Sequence, residues 1–279
     1  MSSSPAILVF DIETIPDVLT GRRLHPELAG LSDEQTTEQM ITLREAETGG
    51  KPFMPLPLHQ VACLSVLWVA NGQMTLKSLA LNNHSEAQIL QTFFKALDKT
   101  PTLVSWNGKG FDLPVMVYRA LQHGLAAPAL FQDTGDMKYN NYLNRYHDRH
   151  TDVMLKLAMG STLQKLDVVA SMCGFAGKQD TTGYDVVPMV QAGEWQRLTT
   201  YCESDVLNTW LVYLRYQRLM GKLSMEQSDA WEQQTLAYVE SLTNDDGTPR
   251  HAKFLAAWLG EDKQISADTV IEQNNTLAN

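Results

Sequence analysis

Three cysteines in 279 residues, Cys63, Cys173 and Cys202, are too few and too widely spaced for a disulfide framework or a zinc knuckle. Their scarcity fits a reducing compartment, and the expected setting is the cytoplasm. Positive charge is also scarce: 22 Lys and Arg stand against 32 Asp and Glu, a net charge of -10. That balance excludes a chain that coats nucleic acid without specificity. It does not exclude a nucleic-acid enzyme, because a carboxylate metal site itself adds negative charge. No apolar run approaches the length of a membrane span, so no membrane partner is expected. Met1–Pro5 has neither the basic region nor the apolar core of a signal peptide. Internal repeats and low-complexity blocks are missing as well. What is present is a globular composition, 44% hydrophobic and 19% charged, with length for one large domain or two small ones.

The apolar run Ala6–Phe10 reads as a buried strand, and it ends in Asp11-Ile12-Glu13-Thr14. Side chains two apart on a strand share a face, so Asp11 and Glu13 project together. Neighbouring carboxylates repel unless a cation sits between them, and hard oxygen ligands suit Mg²⁺ or Mn²⁺. A solvated strand end is the plainer account of so short a motif.

After Pro16, residues 18 to 58 read as an insertion lying over the core. It holds a helix start at Ser32-Asp33-Glu34-Gln35 and a Pro-rich connector over 51 to 58. Val61–Val69 and Met74–Leu81 flank Asn71-Gly72, a strong hairpin signal. A helix is expected from Ser85 to about Asp98, a strand at Leu103–Trp106, and a tight loop at Asn107–Gly110. A helix then follows from Phe111 to about His123. Thr151–Met154 reads as a short strand, and Ser161-Thr162-Leu163 as the opening of a short helix to Cys173. A long helix is expected from about Glu194 to Met220, another over Met225–Leu242, and a short one over Ala252–Leu259. This mixture of a meander with alternating helices and strands predicts an α/β core with an antiparallel portion.

Two further acidic motifs follow. Asn107-Gly108-Lys109-Gly110-Phe111-Asp112 succeeds the fourth strand, with glycines that allow a sharp turn or close approach to a ligand. Asp112 there has a plainer role as a helix cap. On the long helix, Tyr201 and Asp205 are four apart and share one face, while Glu203 points elsewhere. A surface Asp beside a half-buried Tyr is the alternative.

Taken in order, these segments resemble the motifs of the 3′→5′ proofreading exonuclease superfamily. D-x-E matches Asp11 and Glu13, N-x-x-x-[FY]-D matches Asn107, Phe111 and Asp112, and Y-x-x-x-D matches Tyr201 and Asp205. The set resembles the tyrosine-type, four-carboxylate (DEDDy) subclass, and most closely stand-alone exonucleases related to the proofreading domain of family B DNA polymerases. The histidine-type subclass carries His where this chain has Thr200. The resemblance covers about residues 5 to 220. It implies a ribonuclease H-like mixed sheet flanked by helices, with an exonuclease domain over 1–220 and C-terminal helices plus a polar tail over 221–279. It also implies two Mg²⁺ or Mn²⁺ ions held by Asp11, Glu13, Asp112 and Asp205, with Asp11 bridging both. Tyr201 would orient the attacking water, since a phenol of pKa about 10 is a poor base at neutral pH. Thr14 and the backbone of Ile15 would contact the terminal nucleotide, and Asn107 and Phe111 the next one.

The implied activity is hydrolysis of single-stranded DNA or RNA from its 3′ end, DNA favoured, releasing nucleoside monophosphates. The alternatives are an RNA-trimming exonuclease and a non-catalytic module that binds nucleic acid or protein. Lys138, Arg145, Arg149, Lys156 and Lys165 with Tyr139, Tyr142 and Tyr146 suit a single-stranded backbone with unstacked bases, or form an ordinary polar loop. His147 and His150 read as surface histidines; the alternative for His150, and for Asp152, is a place at the edge of the site. Asp167 reads as structural. No protein partner is specified by the sequence.

Overall fold

The structure, a computed structural model, describes residues 5–132, 142–143, 149–177 and 180–260. Its centre is strand β1 (Ile7–Pro16), whose alternation divides the core. Leu8, Phe10 and Ile12 pack on one face of the sheet and Val9 on the other. Asp11 and Glu13 share parity with Val9, so the strand period carries them to that second face.

The chain leaves β1 through α1 (Val18–Leu24), capped by Asp17, and α2 (Asp33–Thr48). Ser32 and Gln35 form a capping box, and Gly49 ends α2 in the left-handed conformation, so the Ser32 start signal holds. Helix α1 was not foreseen, although Asp17 accepts from Leu19 N and Thr20 N in an ordinary cap. The hairpin β2 (His59–Ala70) and β3 (Gln73–Ala80) follows, turning at Asn71-Gly72 with both residues at positive φ. Next come α3 (Glu86–Ala96), β4 (Thr102–Ser105), α4 (Asp112–Gln122), the single turn α5 (Pro128–Phe131) and β5 (His150–Asp152). Helices α6 (Val153–Ala158), α7 (Leu166–Met172) and α8 (Val186–Gln191) are short. Helix α9 (Trp195–Leu219) is the long one, and α10 (Met225–Glu240) and α11 (Ala252–Leu259) complete the order.

The strand order is β3-β2-β1-β4-β5. The β1–β2 and β2–β3 pairs are antiparallel, and β4 and β5 run parallel to β1. This is the α/β, ribonuclease H-like mixed sheet flanked by helices. Helices α3 and α4 cover the Leu8/Phe10/Ile12 face. Helix α9 crosses the Val9 face and buries Val206, Leu207, Trp210 and Leu211 there, with α10 and α11 packed behind it. No helix among the described residues is long and apolar enough to cross a membrane.

Several expectations need correction. Strand β1 runs on to Pro16, so Asp11 and Glu13 lie inside it and not at its end. The helix expected from Ser161 begins at Leu166, and the strand at Thr151–Met154 gives way to helix α6 after Asp152, which caps it. Lys138, Tyr139, Arg145, Tyr146, His147 and the tail 261–279 lie outside the described residues. Tyr142 is no stacking surface: it is buried and donates to Pro101 O at 2.9 Å. His150 is not a surface residue either. It is fully buried beside Ser105 Oγ at 2.8 Å, and burial drives its pKa down to about 3. Glu203 points away from Tyr201 and Asp205 but into the core, where Ser78 Oγ, Arg250 and His251 bind it.

Candidate active site

Three remote segments bring four carboxylates towards one end of the α9 face. Strand β1 contributes Asp11 and Glu13. A bulge after Glu13 shifts the β1–β2 register, and Glu13 stands opposite Cys63. Asp112 is the first residue of α4 and does not cap it; its carboxylate accepts instead from the backbone N–H of Ile12 at 3.1 Å. That bond ties the second motif to the first across 100 residues. On α9, Tyr201 and Asp205 share a face one turn apart, and both line the same cleft.

The loop before Asp112 is shaped from below. Asn107 sits at φ 63°, and its carbonyl accepts from Gly110 N and Phe111 N. Asp152 receives Asn107 N at 3.1 Å and Lys109 N at 3.0 Å while also capping α6. A side chain at Gly108 would lie 2.3 Å from Ser105 Oγ, which His150 holds, so glycine is required there. Asp152 and His150 are thus supports for this motif, and no local sequence pattern announces the role.

The electrostatics are unfavourable for charge. Burial raises the carboxyls of Asp112 and Asp205 to about 7. For Asp205 the neighbouring charge of Asp167 adds to the effect, while for Asp112 two backbone hydrogen bonds oppose it. Asp11 and Glu13 are pushed well above the carboxylate range, first by desolvation and then by the surrounding acids. Glu13 is only 8% exposed and accepts no hydrogen bond from any described donor. Tyr201 is raised too, by burial and by these same acids, so its phenol stays neutral. A cluster of hard oxygens that repel one another, with no paired cation among the described residues, fits a divalent cation. The ligand atoms of Asp11, Glu13 and Cys202 all lie within 4.8 Å of one another; Asp112 and Asp205 stand outside that tighter group.

A cleft of about 900 Å³ opens over the site. Glu13, Thr14, Ile15, Phe111, Tyr201 and Asp205 line it, and Asn107 does not. Residues from 18 to 58 form part of its wall through Thr37, Ile41 and Phe53. Phe53 is exposed and leans on His59 and Phe111, with ring centroids 5.0 and 5.4 Å away. The Thr14 hydroxyl is 2.8 Å from His59 Nδ1, and His59 Nε2 is 3.1 Å from Met54 O, which fixes this wall to β1. Sequence reasoning missed Phe53, His59 and Cys202. It read Asp167 as structural, whereas Asp167 lines the cleft beside Asp205.

A family B DNA polymerase from the hyperthermophilic archaeon Pyrobaculum calidifontis is a similar solved structure, at 16% identity and a TM-score of 0.44. The similarity covers 84% of this chain and 29% of that one, so the chain spans under a third of the polymerase's length. Comparison with curated proteins finds no match. A family profile matches residues 51–258, which include the second and third motifs; Asp11 and Glu13 precede the matched segment. With three quarters of its length in that match, the chain belongs to the family described as predicted 3′-5′ exonucleases related to the exonuclease domain of PolB.

Proposed function

We propose that the protein is a metal-dependent 3′→5′ exonuclease that hydrolyses single-stranded nucleic acid, DNA in preference to RNA, and releases nucleoside monophosphates. One observation carries this reading: carboxylates from three distant segments converge beside an open cleft, Glu13 and Asp112 buried and Asp11 and Asp205 half-buried, with no cation paired to them among the described residues. Asp11, Glu13, Asp112 and Asp205 would hold two Mg²⁺ or Mn²⁺ ions, with Asp11 shared between them. Such ions supply charge stabilisation for the attacking and leaving oxygens of a phosphodiester. Tyr201 remains a neutral phenol, so its role is to orient the attacking water by hydrogen bonding, and Glu13 accepts a hydrogen bond from that water.

Thr14 and the backbone of Ile15 face the cleft where a terminal nucleotide would enter, and Phe111 stands beside them. Asn107 supports this subsite through its loop. Phe53 and Phe111 offer apolar ring surface on which unstacked bases can lie without sequence readout. Residues 1–220 form the exonuclease domain, with 18–58 as an insertion that walls the cleft. The helices after residue 221 brace α9 from behind. Three free cysteines support a reducing, cytoplasmic setting.

The test is a 5′-labelled single-stranded oligonucleotide incubated with Mg²⁺ or Mn²⁺. The expected result is a ladder shortening from the 3′ end, absent with EDTA or Asp205→Ala and slowed by a blocked 3′ end. Internal cuts that ignore the block, or no cleavage with either ion, would refute the reading. DNA and RNA run in parallel decide the sugar preference.

A further inference from the structure

Cys202 lies within the carboxylate site, and the exonuclease reading gives it no role. It is fully buried on α9, one residue after Tyr201 and three before Asp205. Its Sγ donates weakly to the Asp11 backbone oxygen at 3.5 Å and to Asp11 Oδ2 at 3.6 Å. The ligand atoms of Asp11, Glu13 and Cys202 fall within 4.8 Å of one another. A second thiol stands beside this group: Cys63 faces Glu13 across the β1–β2 ladder and packs in the same buried cluster as Cys202. Glu13, nine-tenths buried and without a hydrogen-bond donor among the described residues, points into the same space.

Donor chemistry separates the ions such a set can hold. Mg²⁺ takes oxygen ligands and leaves thiols alone, whereas Zn²⁺ and its heavier relative Cd²⁺ bind thiolate strongly. Around a tetrahedral zinc, ligand atoms at about 2.0–2.3 Å lie roughly 3.3–3.8 Å apart. The spacing of the Asp11, Glu13 and Cys202 donors is about 1 Å wider at most, within reach of side-chain rotation.

We propose that Asp11, Glu13 and Cys202, with Cys63 alongside, form a soft-metal site in which a thiolate joins two carboxylates to bind Zn²⁺ or Cd²⁺. On binding, the Cys202 S–H bond breaks, a sulfur–metal bond forms and the proton leaves to solvent; nothing is oxidised. The ion is drawn towards the buried side of Asp11 and Glu13 and removes both from service with Mg²⁺ or Mn²⁺. Zinc and cadmium are therefore inhibitors, and their inhibition depends on sulfur. The binding claim stands by itself, and only the inhibition rests on the exonuclease reading.

The test titrates Cd²⁺ into reduced, metal-free protein and follows the ultraviolet sulfur-to-cadmium charge-transfer band. The wild type and Cys173→Ser are expected to develop the band at one ion per chain, Cys202→Ser to lose it, and Cys63→Ser to weaken it. Circular dichroism of Cys202→Ser and Cys202→Ala establishes that each is folded. In a parallel Mg²⁺-supported oligonucleotide assay, half-inhibition of Cys202→Ser should need at least about 10-fold more Zn²⁺ than the wild type, the lower end of what even outer-shell changes cost. No band in the wild type, or a full band in folded Cys202→Ser, overturns the proposal. A band that follows Cys202 in a protein without nuclease activity supports the metal site and refutes the exonuclease reading. Zinc inhibition without a band leaves the exonuclease reading intact and overturns this one.

Discussion

Two groups of acids gather near strand β1, at Asp11 and Glu13 within it and at Asp17 just past its end, and they are treated in opposite ways. Asp17, just past the end of β1, is 1% exposed, as buried as anything around Asp11. Arg119 of α4 reaches it and also grips Glu86 through two nitrogens at 2.7 and 2.6 Å. Glu86 takes Val61 N and His123 as well. Desolvation pushes the Asp17 carboxyl up, but hydrogen bonds from Thr20 and Arg119 outweigh it and leave the pKa lowered. Around Asp11, Glu13, Asp112 and Asp205, desolvation outweighs the few neutral hydrogen bonds from Ile12, Tyr201 and Cys202, and every shift is upward. Glu203 belongs with the satisfied class, held by Ser78, Arg250 and His251. The fold can therefore neutralise a buried acid where it has a structural use for one. At the cleft it leaves the acids without a cationic partner among the described residues, and that frustration marks a site awaiting a cation.

The difference can be broken from either side. The largest effect is expected for Asp11→Asn, which should lower oligonucleotide hydrolysis on the order of 10³-fold or more, read as the 3′-ladder rate. The same substitution should raise the melting temperature in EDTA, because it removes the cost of keeping a buried acid protonated. A lower melting temperature would show that Asp11 is a satisfied structural acid. Arg119→Met should do the reverse. It strands Asp17 and Glu86 and should cost about 3–5 kcal/mol in urea unfolding. A loss under about 1 kcal/mol, the scale of surface pairs, would mean that the two acids are not held by this cation.

Tyr201→Phe keeps the ring and removes the hydroxyl. The expected result is a drop in kcat of about tenfold with KM little changed, as befits an orienting group. An unchanged kcat would dismiss Tyr201 from the reaction. The smallest effect concerns pH. Folded Asp112 and Asp205 hold protons up to about 7, whereas the unfolded chain releases them near 3.8. Their contribution to stability is complete below 3.8 and is lost as pH rises through about 7. The metal-free protein should thus melt lower at pH 8 than at pH 5, and Mn²⁺ should stabilise it more at pH 8. A melting temperature that rises over this range in EDTA would contradict the assigned shifts.

What the sequence made legible was whatever depends on local period. Strand alternation puts Asp11 and Glu13 together, and the helix repeat does the same for Tyr201 and Asp205. The Ser32 and Ser85 caps and the Asn71-Gly72 turn are equally local. Contacts made across the fold were not legible. Arg119 meets Asp17 across 102 positions, and Cys202 meets Asp11 across 191. Asp152 looks like any acid at a strand end until the sheet sets it under the Asn107 loop. His150 reads as exposed from its charged neighbours in sequence, which conceal its place on β5, a short strand at the sheet's edge whose three residues are all buried. Phe53 sat in a Pro-rich connector, where nothing local distinguishes a cleft wall from a linker.

The central claim is that the cleft acids stay protonated until a divalent cation replaces the protons. Titration of Mn²⁺ into metal-free protein at pH 6.5 in weak buffer measures this directly, by counting protons released per ion bound. The account predicts two ions per chain, with proton release that falls as pH rises through about 7. It also predicts less release in Asp112→Asn and Asp205→Asn. Binding with no proton release at any pH from 5.5 to 8, or no binding at all, would contradict it.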